Sequence, residues 1–159
     1  MAETQVIVEP GRQDIVIRRT FEAPADVVFA AYTDPALIPA WWGASRFDTH
    51  VDEMDVRRGG SWRFVTRNRK DGSEHAFRGV YHDVVPASRI VSTFEFELGG
   101  PGYLQLTTDT FTPAETGTTL TSVVLFTSVA DRDGWVPTDM EVGIRDSMDR
   151  LDVVIGSLR

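Results

Sequence analysis

The central part of the chain, residues 47–126, is divided by turn sequences at short intervals. The turn signals are Gly59-Gly60, Asp71-Gly72, Pro86-Ala87-Ser88, Gly99-Gly100-Pro101-Gly102 and Glu115-Thr116-Gly117. They separate the predicted strands, which are residues 47–56, 61–67, 76–85, 89–97, 103–111 and 118–127. Connections this short join antiparallel neighbours, because a parallel crossover needs about a dozen residues or more. The sequence therefore predicts an antiparallel meander.

Alternation within these strands places most of the large apolar side chains on one face of the sheet. That predicted inner face carries Trp62, Phe64, Phe77, Gly79, Tyr81, Ile90, Ser92, Phe94, Phe96, Leu120, Ser122, Val124 and Phe126. Much of the other face is charged or hydroxylated. A sheet with one apolar face needs a second layer to cover it.

The C-terminal segment supplies that layer as one long amphipathic helix. Apolar side chains recur at helical spacing at Met140, Ile144, Met148, Leu151, Ile155 and Leu158. Just before them, Thr138-Asp139-Met140-Glu141 matches a capping box, in which the Thr and Glu side chains bind orphan backbone amides. We expect a helix of about five turns lying across the aromatic face.

The segment before the meander predicts one strand and two short helices. Residues 14–21 are rich in Ile and Val and indicate a strand, whereas residues 1–13 are expected to be loosely attached. Pro24 suits the start of a helix, and Asp34-Pro35 repeats that signal. Pro39 then limits the second helix to about a turn or two. Residues 1–159 are thus predicted to form a single α+β domain.

Composition narrows the environment and the partners of the chain. It has no cysteine, and no apolar run approaches the roughly 20 residues of a membrane helix, so we expect a cytoplasmic protein without a membrane partner. A net charge of −8 disfavours nucleic acid as a partner. A basic cluster consists of Arg57, Arg58, Arg63, Arg67, Arg69 and Lys70. It is interpreted as a solvated hairpin, and the alternative that it steers a small anion stays open. The choice between monomer and homodimer stays open.

Short motifs occur in a characteristic order from about residue 14 to residue 158. They are Arg19-Thr20-Phe21-Glu22-Ala23-Pro24, Val28-Phe29, Thr33-Asp34-Pro35, Trp41-Trp42-Gly43, Arg57-Arg58-Gly59-Gly60-Ser61-Trp62-Arg63, Asp71-Gly72, Phe77-Arg78-Gly79-Val80-Tyr81, Arg89-Ile90-Val91 after Pro86, Gly117-Thr118-Thr119-Leu120, and the helix with Met140, Gly143, Ser147, Arg150 and Leu151. Their joint order and spacing resemble the activator-of-heat-shock-protein-ATPase-like branch of the START (polyketide cyclase, SRPBCC) superfamily.

The resemblance implies the helix-grip fold. In that fold a bent seven-stranded antiparallel sheet wraps a long C-terminal helix, and two short helices follow the first strand. The resemblance also implies that residues 14–21 pair with the last strand. A cavity between sheet and helix is expected, where superfamily members hold apolar molecules. Known members include ligand carriers, enzymes and chaperone regulators, so the fold alone does not fix the function.

The expected ligand-binding residues line that cavity. They are Trp42, Trp62, Phe64, Phe77, Tyr81, Phe94, Phe96, Met140, Ile144 and Met148. The competing interpretation is an ordinary packed core. Trp41 and Trp42 point in different directions, so that one anchors the preceding helix and the other forms a lid or a second anchor. Trp135, expected in a loop, either closes the same end or packs on the start of the long helix.

Catalytic chemistry has weaker support. His50, His75 and His82 show no metal-ligand spacing, so no metal is expected, and no cofactor motif is present. Tyr81 and Asp83 are the remaining proton-transfer candidates. Asp83 shares the predicted register of Tyr81 and would point toward the end of the cavity; the competing interpretation is a strand end that meets water or a backbone amide. Three functions stay open: binding of a small apolar or amphipathic molecule, an enzyme of the cyclase or hydrolase type, and a protein-interaction or chaperone-regulator module.

Overall fold

A computed structural model describes residues 2–99, 104–137 and 139–159, and within them the chain forms eight strands and four α-helices. The strands are β1 (Gln5–Ile7), β2 (Asp14–Phe21), β3 (Phe47–Met54), β4 (Ser61–Asn68), β5 (Glu74–Val85), β6 (Arg89–Phe96), β7 (Leu104–Ala114) and β8 (Gly117–Phe126). The helices are α1 (Ala25–Thr33), α2 (Ile38–Trp41), α3 (Val129–Trp135) and α4 (Met140–Leu158). The predicted α+β class is confirmed. Tyr103, predicted to begin a strand, and Gly100, Pro101 and Gly102 of the predicted loop lie outside the described residues.

The strands form one antiparallel sheet in the order β1-β2-β8-β7-β6-β5-β4-β3. The predicted pairing of residues 14–21 with the last strand is confirmed, since Asp14 lies opposite Leu125 and Phe21 opposite Thr118. This arrangement matches the predicted helix-grip fold, with β1 added to the seven implied strands. No helix among the described residues is long and apolar enough to cross a membrane.

The N-terminal segment is attached to the sheet, and the expectation that residues 1–13 hang loosely is wrong. Gln5 lies opposite Arg18 in the pairing of β1 with β2. Thr4 is buried, and its hydroxyl accepts a 3.0 Å hydrogen bond from Arg19. A three-residue strand is too short for alternation to reveal it, so β1 was not predicted.

The two short helices after β2 are present, but α2 begins later than predicted. Pro24 stands at the N-cap position of α1, one residue before the helix. The Asp34 carboxylate accepts a 2.9 Å hydrogen bond from the backbone of Ala36, so it caps a turn. Pro39 lies in the first turn of α2 and does not end it, because a proline there removes no helical hydrogen bond.

Helix α3 was not predicted, and it places Trp135 in a helix instead of a loop. Ser128 caps it by accepting a 3.0 Å hydrogen bond from the backbone of Asp131. The Trp135 ring packs 5.4 Å from Phe126, beside the buried Met140 at the start of α4. The structure thus supports the interpretation of Trp135 as a residue packed on the start of the long helix.

Helix α4 has the predicted length, but the described residues show no capping box at its start. Asp139 is the N-cap residue, in the left-handed conformation with φ 60°, and makes no side-chain cap. Glu141 accepts a 2.9 Å hydrogen bond from Arg145. Thr138, the first residue of the predicted box, lies outside the described residues.

The helices cover one half of the sheet more fully than the other. Helix α4 packs on α1, α2 and β2, while α1 packs on β7 and β8. Met148, Leu151 and Ile155 are buried as predicted, whereas Leu158 is 40% exposed, so the apolar stripe ends before the last turn. The inner face of β4, β5 and β6 is therefore left mainly to side chains from elsewhere in the chain.

One buried arginine joins β2 to α4. Arg19 is 2% exposed on the inner face of β2. Its guanidinium donates to Asp149 at 2.6 Å and to Asp152 at 3.2 Å, one helical turn apart on α4. Together with the Thr4 contact, these hydrogen bonds fix the helix against the N-terminal edge of the sheet.

Candidate functional site

The inner face of β4, β5 and β6 carries a cluster of aromatic rings with the Trp42 indole at its centre. The ring centroids of Trp62, Phe64, Phe77 and Phe94 lie 6.2, 5.1, 5.4 and 6.4 Å from that of Trp42. We call these four residues the aromatic cage. Aromatic pairs at such separations attract through dispersion and complementary ring edges and faces. These contacts hold the Trp42 indole against the cage.

Strand register explains how the cage is built. Phe64 lies opposite Phe77, and Trp62 lies opposite Gly79. An added Cβ on Gly79 would lie 1.8 Å from the Thr93 carbonyl oxygen and 2.5 Å from the Trp62 ring nitrogen. The missing side chain leaves room for the Trp62 indole, which crosses Gly79 and donates a 3.2 Å hydrogen bond to the Thr93 carbonyl.

Trp42 reaches the cage from the loop after α2. The neighbouring Trp41 is buried and donates a 3.0 Å hydrogen bond to the Ala31 carbonyl, so it anchors α2. Trp42 itself is partly exposed, and its carbonyl accepts a 2.7 Å hydrogen bond from Thr49. Gly43 follows at φ +85°, a conformation that favours glycine. The two tryptophans therefore point in different directions, as expected.

Helix α4 holds the same loop through three polar contacts. Ser147 donates a 2.7 Å hydrogen bond to the Trp41 carbonyl, and Arg150 donates to the Gly43 carbonyl. The Asp146 carboxylate accepts a 2.6 Å hydrogen bond from the backbone of Ser45. The segment that carries Trp42 is therefore fixed to the C-terminal helix on one side and to β3 on the other.

The structure brings most of the predicted ligand-binding residues into one cluster. Its members among them are Trp42, Trp62, Phe64, Phe77, Tyr81, Phe94, Ile144 and Met148. Met140 packs instead with Ile15, Ile17 and Val124, under the other end of α4. Phe96 lies beside the cage, 5.2 Å from Phe77 and 5.8 Å from His75.

Exposure differs within this group. Trp62 and Phe64 are buried, whereas Trp42, Phe77 and Phe94 are only partly buried although they face inward. The aromatic surface of β5 and β6 therefore remains partly accessible beside the terminal helix.

A buried carboxylate lies on the inner face of β7, and the sequence interpretation missed it. Asp109 is 7% exposed and accepts a 2.5 Å hydrogen bond from Ser122, its partner on β8. Removal from water raises the pKa of Asp109 to about 6, although the Ser122 hydrogen bond opposes the shift. The alternation of Phe111, Asp109 and Gln105 along β7 is the signal that would have revealed it.

Tyr81 and Tyr32 lie close enough to Asp109 to feel its charge. Tyr81 is 6% exposed, and its pKa is raised by burial and by the Asp109 carboxylate. The pKa of Tyr32, on α1, is raised well above its usual value by the same two causes, against a hydrogen bond with Ser122. Both hydroxyls therefore stay protonated at neutral pH.

The expectation that Asp83 points toward the cavity is wrong. The pairing of β5 with β6 shifts register between Tyr81 and Asp83, so a bulge at His82 returns Val84 to the core face. Asp83 turns to the outer side and accepts a 2.5 Å hydrogen bond from Arg89. That hydrogen bond lowers the pKa of Asp83, which makes it a poor base.

The histidines do not converge. His50 and His82 are exposed, while His75 is partly buried between Phe47 and Phe96. Within residues 2–99, 104–137 and 139–159, no three His, Asp or Glu side chains form a group that could hold a metal.

The basic cluster on the outer face is largely neutralised. Arg63 binds Asp52 and Glu97, while Arg57 binds Asp55 and Arg69 binds Asp48. A depression of about 610 Å³ lies on this outer face, with Arg63, His50 and Glu74 among its walls. Carboxylates thus occupy three of the six basic residues of the cluster, which weakens the attraction of this surface for an anion.

The family described as Activator of Hsp90 ATPase homolog 1-like protein matches residues 22–156. A structure from Rhodobacter sphaeroides is 27% identical with a TM-score of 0.88, covering 98% of this chain and 99% of that chain. A structure from Chromobacterium violaceum is 30% identical with a TM-score of 0.81, covering 90% and 96%.

An Activator of Hsp90 ATPase homolog 1-like protein from Aeromonas hydrophila has the same fold at 18% identity, with a TM-score of 0.67, covering 91% of this chain and 93% of that chain. No curated protein matches the chain. The family match spans most of the sequence and includes the cage, the Trp42 loop and nearly all of α4. The chain therefore belongs to the Activator of Hsp90 ATPase homolog 1-like family.

Proposed function

We propose that the protein binds a small, largely apolar molecule between the β4–β6 half of the sheet and the terminal helix. The observation that carries this proposal is the place of Trp42. Its indole lies among four aromatic rings, yet it is only partly buried and comes from a loop. A flat ligand that displaces the indole would meet the same rings.

Burial alone supplies useful affinity at such a site. Each apolar methylene that leaves water contributes about 0.8 kcal/mol. About ten ring carbons would contribute about 8 kcal/mol, which corresponds to micromolar affinity before the displacement of Trp42 is subtracted, so a larger apolar ligand is expected. Family membership adds support, because the resemblance implies that superfamily members hold apolar molecules in this part of the fold.

A pair of leucine substitutions on the two faces of the sheet tests the proposal. Ser92 faces inward opposite Tyr81, so Ser92→Leu places a bulky side chain beside the cage. Val80 is 45% exposed on the outer face, so Val80→Leu is the matched control. With 2-methoxynaphthalene as the probe in calorimetric titration, we expect Ser92→Leu to weaken binding at least tenfold and Val80→Leu to change it less than twofold.

Native mass spectrometry of the freshly purified protein provides a second readout, with a copurified small molecule expected in the wild type and reduced in Ser92→Leu. If Ser92→Leu binds the probe as tightly as the wild type while melting at a similar temperature, the site is not between sheet and helix and the proposal fails.

A further inference from the structure

A row of polar side chains runs along the inner face of the sheet beside the aromatic cage. Gln105, Thr107 and Asp109 alternate on β7, so all three project from the same face. Ser122 lies opposite Asp109 on β8, and Ser92 lies opposite Thr107 on β6. We call Gln105, Asp109 and Ser122, together with Tyr81, the polar strip.

The polar strip has hydrogen-bonding capacity that the protein leaves unused. Gln105, Asp109 and Tyr81 are each more than nine-tenths buried, with exposures of 6, 7 and 6%. Within the part of the chain that the structure describes, Ser122 is the one hydrogen-bond partner of the Asp109 side chain. In that same part, the Gln105 amide and the Tyr81 hydroxyl have none. No polar atom of Gln105, Asp109 or Tyr81 is among the fully enclosed, unpartnered atoms of the described residues, so the free polar atoms of the strip border open space in which a ligand group could bind.

The polar strip continues the aromatic cage. Phe94 of the cage lies directly opposite Gln105, and Tyr81 lies opposite Ser92, which in turn faces Thr107. Neighbouring strands are about 4.8 Å apart, so the Tyr81 backbone is roughly 10 Å from that of Thr107 across the inner face. Burial and the Asp109 charge both raise the pKa of Tyr81. One small molecule would therefore touch both the cage and the strip.

We propose that the polar strip recognises the head of the bound molecule, and that this head is a hydroxyl group on an apolar ring system. The inference rests on the proposed binding function and names the class of its ligand. A hydroxyl both donates and accepts a hydrogen bond. It donates to the free carboxylate oxygen of Asp109 and accepts from the Tyr81 hydroxyl, while the ring system lies against the aromatic cage.

The charges at the strip disfavour other heads. Asp109 repels an anionic head, and the groups that act on the carboxylate are its apolar surroundings and Ser122. An ether in place of the hydroxyl has no proton to give to Asp109. The Asp109 charge also keeps the proton on Tyr81, so the phenol remains a donor. The strip therefore favours a head that donates a hydrogen bond over an anion or an ether.

A matched pair of probes tests this selection. Wild-type protein is titrated calorimetrically with 2-naphthol and with 2-methoxynaphthalene, which share the ring system and differ in the donor, and with 2-naphthoate as an anionic probe. We expect 2-naphthol to bind about tenfold more tightly than 2-methoxynaphthalene, as a charge-assisted hydrogen bond allows, and 2-naphthoate to bind most weakly.

Two variants assign the preference to the strip. Asp109→Asn is expected to reduce the tenfold preference for 2-naphthol over 2-methoxynaphthalene to less than threefold. Tyr81→Phe, which removes the donor without altering the carboxylate, is expected to reduce it by at least threefold. Asp83→Asn, on the outer side, is the matched control and keeps the wild-type preference.

The outcomes separate the two proposals. If the wild type binds 2-naphthol and 2-methoxynaphthalene equally well, or binds 2-naphthoate most tightly, the proposed role of the polar strip is wrong. The proposal that the aromatic cage binds an apolar molecule is not affected by either result. A preference that persists in both Asp109→Asn and Tyr81→Phe also overturns it. If the wild type binds none of the probes, the cage itself is not a binding site and the inference falls with it.

Discussion

Asp109 is a residue that stability alone would not select. A carboxylate removed from water destabilises the folded state unless charges or hydrogen bonds compensate for the lost hydration. Ser122 supplies one hydrogen bond, and the pKa of Asp109 still rises to about 6. The proposed recognition of a ligand hydroxyl would account for its presence on the inner face, which packing does not.

Asp109→Asn is expected to stabilise the protein above pH 6. The folded-state pKa of about 6 exceeds the usual value of 3.8, so the folded state binds more protons between these values. Protonated Asp109 therefore makes its full contribution to the free energy of unfolding below about pH 4, and this contribution is lost as the pH rises through about 6. The difference in unfolding free energy between Asp109→Asn and the wild type is expected to favour the variant by about 1–3 kcal/mol more at pH 7.5 than at pH 4. Urea unfolding across that pH range measures it.

Asp83→Asn serves as the control of opposite sign. The Arg89 hydrogen bond lowers the pKa of Asp83, so its contribution is present above pH 4 and is lost as pH falls. The variant should therefore lose stability at pH 7.5 and match the wild type at low pH. A stability curve of Asp109→Asn that runs parallel to that of the wild type from pH 4 to 7.5 would contradict the raised pKa.

Gly79 is the residue on which the geometry of the aromatic cage depends. A Cβ at this position would lie 1.8 Å from the Thr93 carbonyl oxygen, a backbone atom that cannot move without separating β5 from β6. We expect Gly79→Ala to destabilise the protein by about 3 kcal/mol and to disturb the Trp62 fluorescence. Thermal or urea unfolding measures the first effect.

Gly143→Ala is the control for Gly79→Ala. Gly143 lies inside α4, and nothing is within 4 Å of the position that a Cβ would take. Alanine favours the helix over glycine, so this variant should gain about 0.5–1 kcal/mol. If Gly79→Ala were as stable as Gly143→Ala, the strands would tolerate the added methyl group and the prediction would be wrong.

Sequence alternation predicted the positions of single residues where the strands are regular. Trp62, Phe64 and Tyr81 are buried as predicted, because a period of two fixes the face of each side chain. The prediction failed at Asp83, because the extra residue at the His82 bulge shifts the inward–outward alternation by one position. The pattern of polar and apolar residues does not reveal such a bulge. Asp109 was overlooked because a charged residue in a strand is ordinarily assigned to the solvent side.

At the scale of elements, the terminal helix shows why a correct periodicity does not give a correct set of contacts. Its apolar stripe was predicted as one continuous surface facing the aromatic residues. The structure divides it, with Met140 packed beneath β2 and β8 and Met148 in the cluster that contains the cage. A straight helix crossing a twisted sheet meets different strands along its length, and the sequence of the helix does not contain the crossing angle.

The ion pairs of Arg19 predict how firmly α4 is held to the sheet. Arg19→Ala removes the hydrogen bonds to Asp149 and Asp152 and the packing of the guanidinium over Phe21. We expect a loss of about 2–4 kcal/mol in urea unfolding.

Arg18 on the same strand is exposed, and Arg18→Ala should change stability by less than about 0.5 kcal/mol. Equal effects of the two substitutions would mean that α4 is held by its apolar contacts alone.

At the scale of the whole molecule, the predicted helix-grip architecture is confirmed, and β1 extends it. Motif order was sufficient for the topology, because the pairing of β2 with β8 closes the meander around α4. Whether the interior is filled was not decided by sequence, since packed cores and lined cavities use the same side chains. The structure shows a specific arrangement, in which one loop residue covers the inner face where the helices do not.

The place of Trp42 has a consequence for how affinities of this protein are to be understood. In the proposed site a ligand competes with the indole, so every apparent dissociation constant would describe an exchange of one aromatic group for another. A solute smaller than indole would replace less surface than it displaces and should be rejected, even when its shape fits. The proposed site would thereby have a lower size limit for its ligands, set by a single side chain of the protein.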